Sequence, residues 1–539
     1  MMNTLLAAGP FWMPSAADLQ RLGPLWSLAG TIVAVLLTAL LVGRNHRVAG
    51  GVATLGGVFT AALCWKTFSS GSEPFAGMAP DGAAPMLVVD QFSSFFIFLI
   101  SVFLVLVTGM WFMGLDAGDP DESARRRDAV EFFVLFVGSA FGMALMVSTS
   151  NLLMIILAVE SASLPSYGLA GFRKKNRLAA EASLKYILFG AVTSAISVYG
   201  ASLLYGQFHT LDLMKISAAI GEHGISVLSG VGLFAFLVGV AFKVSAVPFH
   251  FWCPDVFEGA SIEVTTWLSV ASKAAGLGLM LRIMWVLSCT VQSADAMRWV
   301  AHAVGIMAAI TCTVGNFSAF RQTNLKRLLA FSSIAHAGYM LMAVSIIWQP
   351  RESAAGMPHP AYSAIIAYMI VYLLMNLAAF GIVAMVYWST GRETMDAFKG
   401  LGWRNPLLGA VMATCLFSLV GLPPLGGFIT KWYLLIALYD ASLIWLILVA
   451  VFNTLLSLYY YARIVYAMYF VQSDEAPIRA PAMGQFAVLA CAVAILLSGT
   501  VYAGRLKSFS DARSRDIYGG MKPTGLRVTE STVHLTNSH

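Results

Sequence analysis

Charge is what this sequence has least of. Only 11% of its 539 residues are Asp, Glu, Lys or Arg, against about 25% in a soluble domain. That excludes a soluble globular protein. The 58% hydrophobic content excludes a disordered chain. Paired cysteines are also missing. The six cysteines, at 64, 253, 289, 312, 415 and 491, form no C-x-x-C pair, and most lie in apolar runs. Disulfides, zinc, iron–sulfur clusters and c-type haem are therefore not expected. Intramembrane histidines are few (250, 302, 336) and unpaired for haem, and there is no P-loop or dinucleotide-binding glycine fingerprint. No basic face interleaved with aromatics marks the chain for nucleic acid, although the net charge is +6. No basic n-region precedes the first apolar run, so a cleaved signal is not expected.

Long apolar runs are what the chain does have. Its mean hydropathy is +0.77, and the runs are continuous rather than alternating, which disfavours a β-barrel. Fourteen segments between residues 25 and 504 are long enough to span a bilayer, each needing about 20 residues. Helices satisfy their backbone internally in lipid. The expected fold is an all-α polytopic helix bundle of about fourteen transmembrane helices. With the N-terminus outside, the inside loops hold sixteen Lys and Arg, Lys326 among them, and the outside loops five. The positive-inside rule favours that orientation. The stretch 207–222 is too polar to span and reads as an amphipathic surface connector. The Gly/Pro-rich stretch 69–90 reads as an outer loop. The tail 505–539 reads as polar and partly mobile.

Two segments are interrupted by proline. In FAFLVGVAFKVSAVPFHFWCPDVFEGA, Lys243 stands five residues before Pro248; in ATCLFSLVGLPPLGGFITKWYLL, Lys431 stands seven after Pro424. Proline strains the carbonyl four residues back. Pro248 should free the region of Val244, and Pro423 and Pro424 should free Leu419 and Val420. The interrupted segments are the seventh and twelfth, which suggests two inverted five-helix repeats. The division is then 1–129 (helices 1–3), 130–288 (helices 4–8), 289–471 (helices 9–13) and 472–539 (last helix and tail). Broken helices in matching places of inverted repeats point to an ion path near the midplane.

Seven ionisable residues fall inside apolar segments: Glu160, Lys185, Lys243, Lys273, Arg282, Lys431 and Arg463. Each costs about 2.5–3.5 kcal/mol at mid-bilayer on insertion scales. The deep bases are mostly lysine. Burial eases proton release from lysine, whereas arginine stays protonated. A proton path needs lysine, while a structural ion pair would accept arginine equally well. Glu160 paired with Lys243 would hold that lysine charged, and opening the pair would drive its proton toward Lys273. Competing readings are structural. A lone membrane lysine commonly snorkels. Lys185 lies four residues after Glu181, where a local pair competes with function. Arg282 and Arg463 read as anchors. His336 is a proton relay or a satisfied core histidine, and His250 has the same ambiguity. Asp255, Glu258 and Glu263 read as caps or an intake funnel at the inner surface.

The blocks EASLKYILFGAVTSAISVYGASLLYG (181–206), PFHFWCPDVFEGASIEVTTWLSVASKAAG (248–276), RQTNLKRLLAFSSIAHAGYML (321–341) and GLPPLGGFITKWYLL (421–435) carry a family resemblance. They resemble the proton-translocating antiporter-like subunits of respiratory complex I, over roughly 90–480. PDVFEGA and Lys431 resemble the N type within that family. Ser261, where the family has proline, Thr430 and a longer N-terminal region depart from the pattern. The resemblance implies fourteen helices with inverted repeats. It implies a proton path through Glu160, Lys243, Lys273 and Lys431, with Lys185 and His336 as further members. It implies a multi-pass subunit of a bacterial-type inner membrane, packed among other membrane subunits. It also implies no cofactor in this chain, with NADH, FMN, iron–sulfur clusters and quinone bound by partner subunits. A multisubunit Na⁺/H⁺ antiporter, a membrane-bound hydrogenase and a passive structural scaffold are the alternatives.

Overall fold

The computed structural model describes residues 16–70, 75–76, 86–117, 122–288, 291–348, 359–473, 475–478 and 480–515. Among the described residues, thirteen helices are long and apolar enough to cross a membrane. Twelve correspond one for one to the simple segments expected, and Val227–Val244 is the first part of the interrupted seventh. The remaining segment, the twelfth, is two 15-residue half-helices, Pro406–Val420 and Gly426–Asp440. The seventh also breaks as its proline requires. Val227–Val244 ends with Ser245 in the left-handed region, and a short helix, Trp252–Gly259, follows the turn.

Helix starts follow capping chemistry. Asp90 accepts from the amide of Ser93, and Ser93 returns its hydroxyl to the Asp90 backbone in a capping box. Asn151, Asn176, Asp212, Asn324 and Asn405 each accept an amide of the first turn at their own helices.

Burial sorts the helices into a core and two flanks. Ile262–Leu287 is wholly buried and forms the centre, with Leu325–Val344 and Pro360–Thr390 beside it. Gly23–Leu41, Arg177–Phe208, Ile444–Tyr469 and Ala482–Gly499 bury only about a third of their residues or fewer and expose many large apolar side chains. That is the surface expected toward lipid or neighbouring subunits. The connector at 207–222 contains an amphipathic helix, Leu213–His223, with Leu213, Ile216 and Ile220 inward.

The tail differs from expectation in its first part. Ala503–Arg515 is a helix held on the bundle. Arg513 donates to Gln91 at 2.8 Å, Ser514 meets Ser363 at 3.0 Å, and Tyr433 donates to the Ala503 carbonyl at 2.9 Å. The helix is mostly polar, with only Leu506 and Phe509 as large apolar residues packed on the core, so hydropathy did not reveal it. Residues 516–539, most of the 69–90 loop, and Arg351 and Arg479 of the loop count lie outside the described residues. Within 69–90, Phe75–Ala76 pairs antiparallel with Val88–Val89.

Candidate functional site

Lys243 occupies the last turn before the first break and is 1% exposed; Lys273 is fully buried in the central helix. Neither ammonium has a hydrogen-bond partner among the described residues. The two helices nonetheless touch. Ser272 donates to the Lys243 carbonyl at 3.3 Å. Gly276 permits that approach, because a Cβ there would sit 3.3 Å from the Lys243 side chain and 2.9 Å from Val244. Trp252 donates to the Phe242 carbonyl at 3.0 Å. The carbonyls freed by this break are thus taken by Trp252 and Ser272, not by the lysine. Just before Lys273, the central helix widens into a π turn over Leu268–Ser272, a feature that marks functional sites in many helices. The Lys273 ammonium lies 5.3 Å from the Phe257 ring centre, a cation–π contact that offsets part of its desolvation.

Lys431 is held differently. It lies after its break, in the second turn of Gly426–Asp440, and donates to the carbonyls of Leu419 at 3.1 Å and Val420 at 2.8 Å. These are the two carbonyls that Pro423 and Pro424 were expected to release. The ammonium also sits 4.5 Å from the Tyr339 ring centre. A 140 Å³ cavity lined by Lys431, Tyr339, Trp432 and Thr454 adjoins it. The two broken helices therefore carry their lysines on opposite sides of the break, one unbonded and one tethered.

His336 stands between the halves. It is buried, shares a 2.7 Å hydrogen bond between Nδ1 and the Tyr368 hydroxyl, and is within electrostatic reach of both Lys273 and Lys431. Glu160 is near enough to act on Lys243 electrostatically without a hydrogen bond between them. Its carboxylate accepts instead from Ser194. It is half-buried, on a flank of its helix shared with the exposed Leu153, Leu157 and Leu164. His250 is buried at the first break.

Several expectations are corrected. Lys185 does not join the buried line. It is partly exposed and bonds both Glu181 at 2.7 Å and Asp255 at 2.8 Å. Both the local carboxylate of Glu181 and the distant one of Asp255 reach it, because the helix start lies at the bundle surface. Asp255 and Glu258 hold Arg327 at 2.7 and 2.6 Å. Glu263 is no surface cap: it is fully buried and paired with Arg125. Lys326, counted as a loop base, is buried and held by Glu393 at 2.8 Å and the Ala260 carbonyl at 2.9 Å. Arg282 and Arg463 are anchors, as read. Arg282 makes a buried pair with Asp90, with bonds of 2.8 and 3.0 Å. Arg463 donates to the Phe320 and Gln322 carbonyls just beyond Val291–Ala319. Asp90, Arg125 and Glu393 are the partners that sequence reasoning missed. Arginine opposite a lone intramembrane-edge carboxylate was the only available signal.

The buried charges thus divide into two groups. Arg282, Glu263 and Lys326 are each neutralised by an opposite charge. Lys243, Lys273 and Lys431 touch no carboxylate oxygen within 4 Å among the described residues.

Comparison with known proteins fits this architecture. The family model "NADH:quinone oxidoreductase/Mrp antiporter, TM" matches residues 149–457. The chain is 39% identical over 441 residues to NADH-quinone oxidoreductase subunit N of Anaeromyxobacter sp., covering 77% of this chain and 82% of that one. It is 41% identical over 444 residues to subunit N 2 of Sorangium cellulosum, covering 79% and 83%. Among solved structures it superposes on a chain of respiratory complex I from Thermus thermophilus with a TM-score of 0.73 at 29% identity, covering 91% and 99%. A chain of the Mrp complex from Dietzia sp. shares the fold at 19% identity, with a TM-score of 0.76 and coverage of 93% and 98%. With thirteen spanning helices, a broken twelfth segment and these relatives, the chain belongs to the antiporter-like membrane subunits of NADH–quinone oxidoreductase, in the subunit N branch.

Proposed function

We propose that this chain moves protons across the membrane along the line Lys243, Lys273, His336 and Lys431. Glu160 sets the charge on Lys243. The movement is coupled to electron transfer from NADH to quinone, which occurs in partner subunits that hold FMN, the iron–sulfur clusters and quinone. Residues 130–288 and 289–471 act as two inverted repeats that meet at Lys273 and His336. The chain sits among other membrane subunits in an energy-transducing inner membrane, with its N-terminus outside.

One observation carries this reading. The ammonium groups of Lys243 and Lys273 are buried and have no hydrogen-bond partner among the described residues, while Glu263 and Arg282 on the central helix are paired. An unmatched buried ammonium is expensive, and a scaffold would gain by replacing it with leucine. A group that loads and unloads a proton has a reason to stay unmatched. Lysine can do so and arginine cannot.

The test is Lys243→Ala in the native membrane. Assembly is read on a native gel, then NADH-driven quinone reduction and proton uptake into inside-out vesicles. An assembled complex with strongly reduced turnover or pumping is the expected result. Full turnover and full pumping would sink the reading. Loss of assembly would move it to the scaffold.

A further inference from the structure

We infer that the chain carries a phosphate-anion site in the cavity lined by the end of Gln91–Asp116, by Glu122–Arg127, by the start of Ala129–Val147 and by the 172–176 loop with the start of Arg177–Phe208, and that an anionic phospholipid headgroup fills it. The inference does not depend on the proton reading. The cavity measures about 550 Å³ and lies where the bases of two loops converge. Six bases line it: Arg125, Arg127, Arg173, Lys174, Lys175 and Arg177. Of the residues that line it, only Asp128 and Glu263 are acidic.

The carboxylates do not use up these bases. Asp128 takes Arg127 at 3.0 Å and Lys174 at 3.2 Å, and Glu263 takes Arg125. Arg173 donates to the neutral Tyr387 hydroxyl at 2.5 Å. Lys175 and Arg177 are exposed and make no hydrogen bond or ion pair among the described residues. Six cations facing one cavity with two anions leave a positive field that repels protons and collects anions. This argues against the intake funnel that the acidic residues alone suggested. The positive-inside rule accounts for bases in these loops but not for their convergence on one enclosed volume.

The walls select the form of phosphate. Trp111, Phe132 and Phe172 line the cavity beside the bases. Leu178, Leu184 and Leu188, each more than half exposed, run down the same helix from Arg177, flanking the Glu181–Lys185 pair. A basic pocket at a helix end, with an apolar track beneath it, matches a headgroup with acyl chains. Free phosphate would use the bases and leave the track bare.

The test uses the purified complex, delipidated in detergent and titrated with dioleoyl phosphatidylglycerol under native mass spectrometry. The variant Lys175→Gln/Arg177→Gln removes the two uncommitted cations. Arg321→Gln, an exposed base outside the cavity, is the control. The expected result is one phosphatidylglycerol that binds about tenfold more weakly in the double variant, as two unit charges about 6 Å from a phosphate give in water. The control should match wild type, and phosphatidylcholine should not compete. Inorganic phosphate that displaces the lipid with the same sensitivity to the double variant would support the anion site and assign it to the free ion. Equal lipid binding in the double variant and wild type would overturn the inference. So would equal binding of phosphatidylcholine, or a cross-link from position 175 to an acidic segment of a neighbouring subunit filling the cavity.

Discussion

Arg282→Met is expected to cost the fold about 3–5 kcal/mol, the scale of removing one partner of a buried ion pair. Arg282 holds Asp90 through bonds of 2.8 and 3.0 Å and gives its Nε to the Val147 carbonyl at 3.0 Å. Both charged side chains are 2% exposed. Without the guanidinium, the Asp90 carboxylate stays buried with only the Ser93 cap to satisfy it. Asp90→Asn/Arg282→Met removes both charges. Asparagine caps a helix about as well as aspartate, so the start of Gln91–Asp116 survives. The uncorrected loss is then the bond to Val147, about 1.5 kcal/mol. The double variant should therefore be about 1.5–3.5 kcal/mol more stable than Arg282→Met, and Asp90→Asn alone completes the cycle that isolates the coupling of the pair. The assay is the midpoint of thermal disassembly of the purified complex in detergent, with assembled yield on a native gel. Turnover per assembled complex should equal wild type in all variants, because neither group belongs to the lysine line. A double variant no more stable than Arg282→Met would refute the pairing argument. Lost turnover in an intact complex would refute the division of buried charges into structural and mobile.

Lys431→Arg should assemble normally and lose proton uptake, because arginine can still cap the freed carbonyls but holds its proton. Lys431→Met should also lower the disassembly midpoint, having lost two charge-assisted bonds of about 1.5–3 kcal/mol each before relaxation. Gly427→Ala should disrupt the second break, since its Cβ would collide with the Ser418 carbonyl; a cost of about 1–3 kcal/mol is readable as reduced assembly. Asp128 has its carboxyl held at about 2, below its ordinary 3.8, chiefly by the hydrogen bond from Arg127 and also by Lys174. Its contribution is fully present above pH 3.8 and is lost as pH falls through about 2. Hydrogen exchange over 122–130 should quicken only in that window, and Asp128→Asn should abolish the pH step.

Local physics was legible in the sequence. Hydropathy located the helices, and proline chemistry located both breaks, down to the Leu419 and Val420 carbonyls that Lys431 caps. Lysine against arginine separated Lys243, Lys273 and Lys431 from the anchors at Arg282 and Arg463, but not from the paired Lys185 and Lys326. Partners were not legible, because pairing joins distant helices. Arg282 lies 192 residues from Asp90, and Glu263 lies 138 from Arg125. Without those partners, Glu263 and Lys326 read as surface charges from their place near helix ends. Lys185 erred the other way: its segment is apolar enough to suggest depth, but its turn of helix is at the rim beside Asp255.

The pairing of the central helix also bears on how the chain is made. Ile262–Leu287 carries Glu263, Lys273 and Arg282, and three ionised residues in one helix oppose its lateral release into lipid by about 8–10 kcal/mol on insertion scales. The counter-charges for two of them, Asp90 and Arg125, lie earlier in the chain. They are already in place when this helix leaves the ribosome and can receive it. Arg282 and Glu263 thus enter as neutral pairs, and the insertion penalty that remains is the one belonging to Lys273.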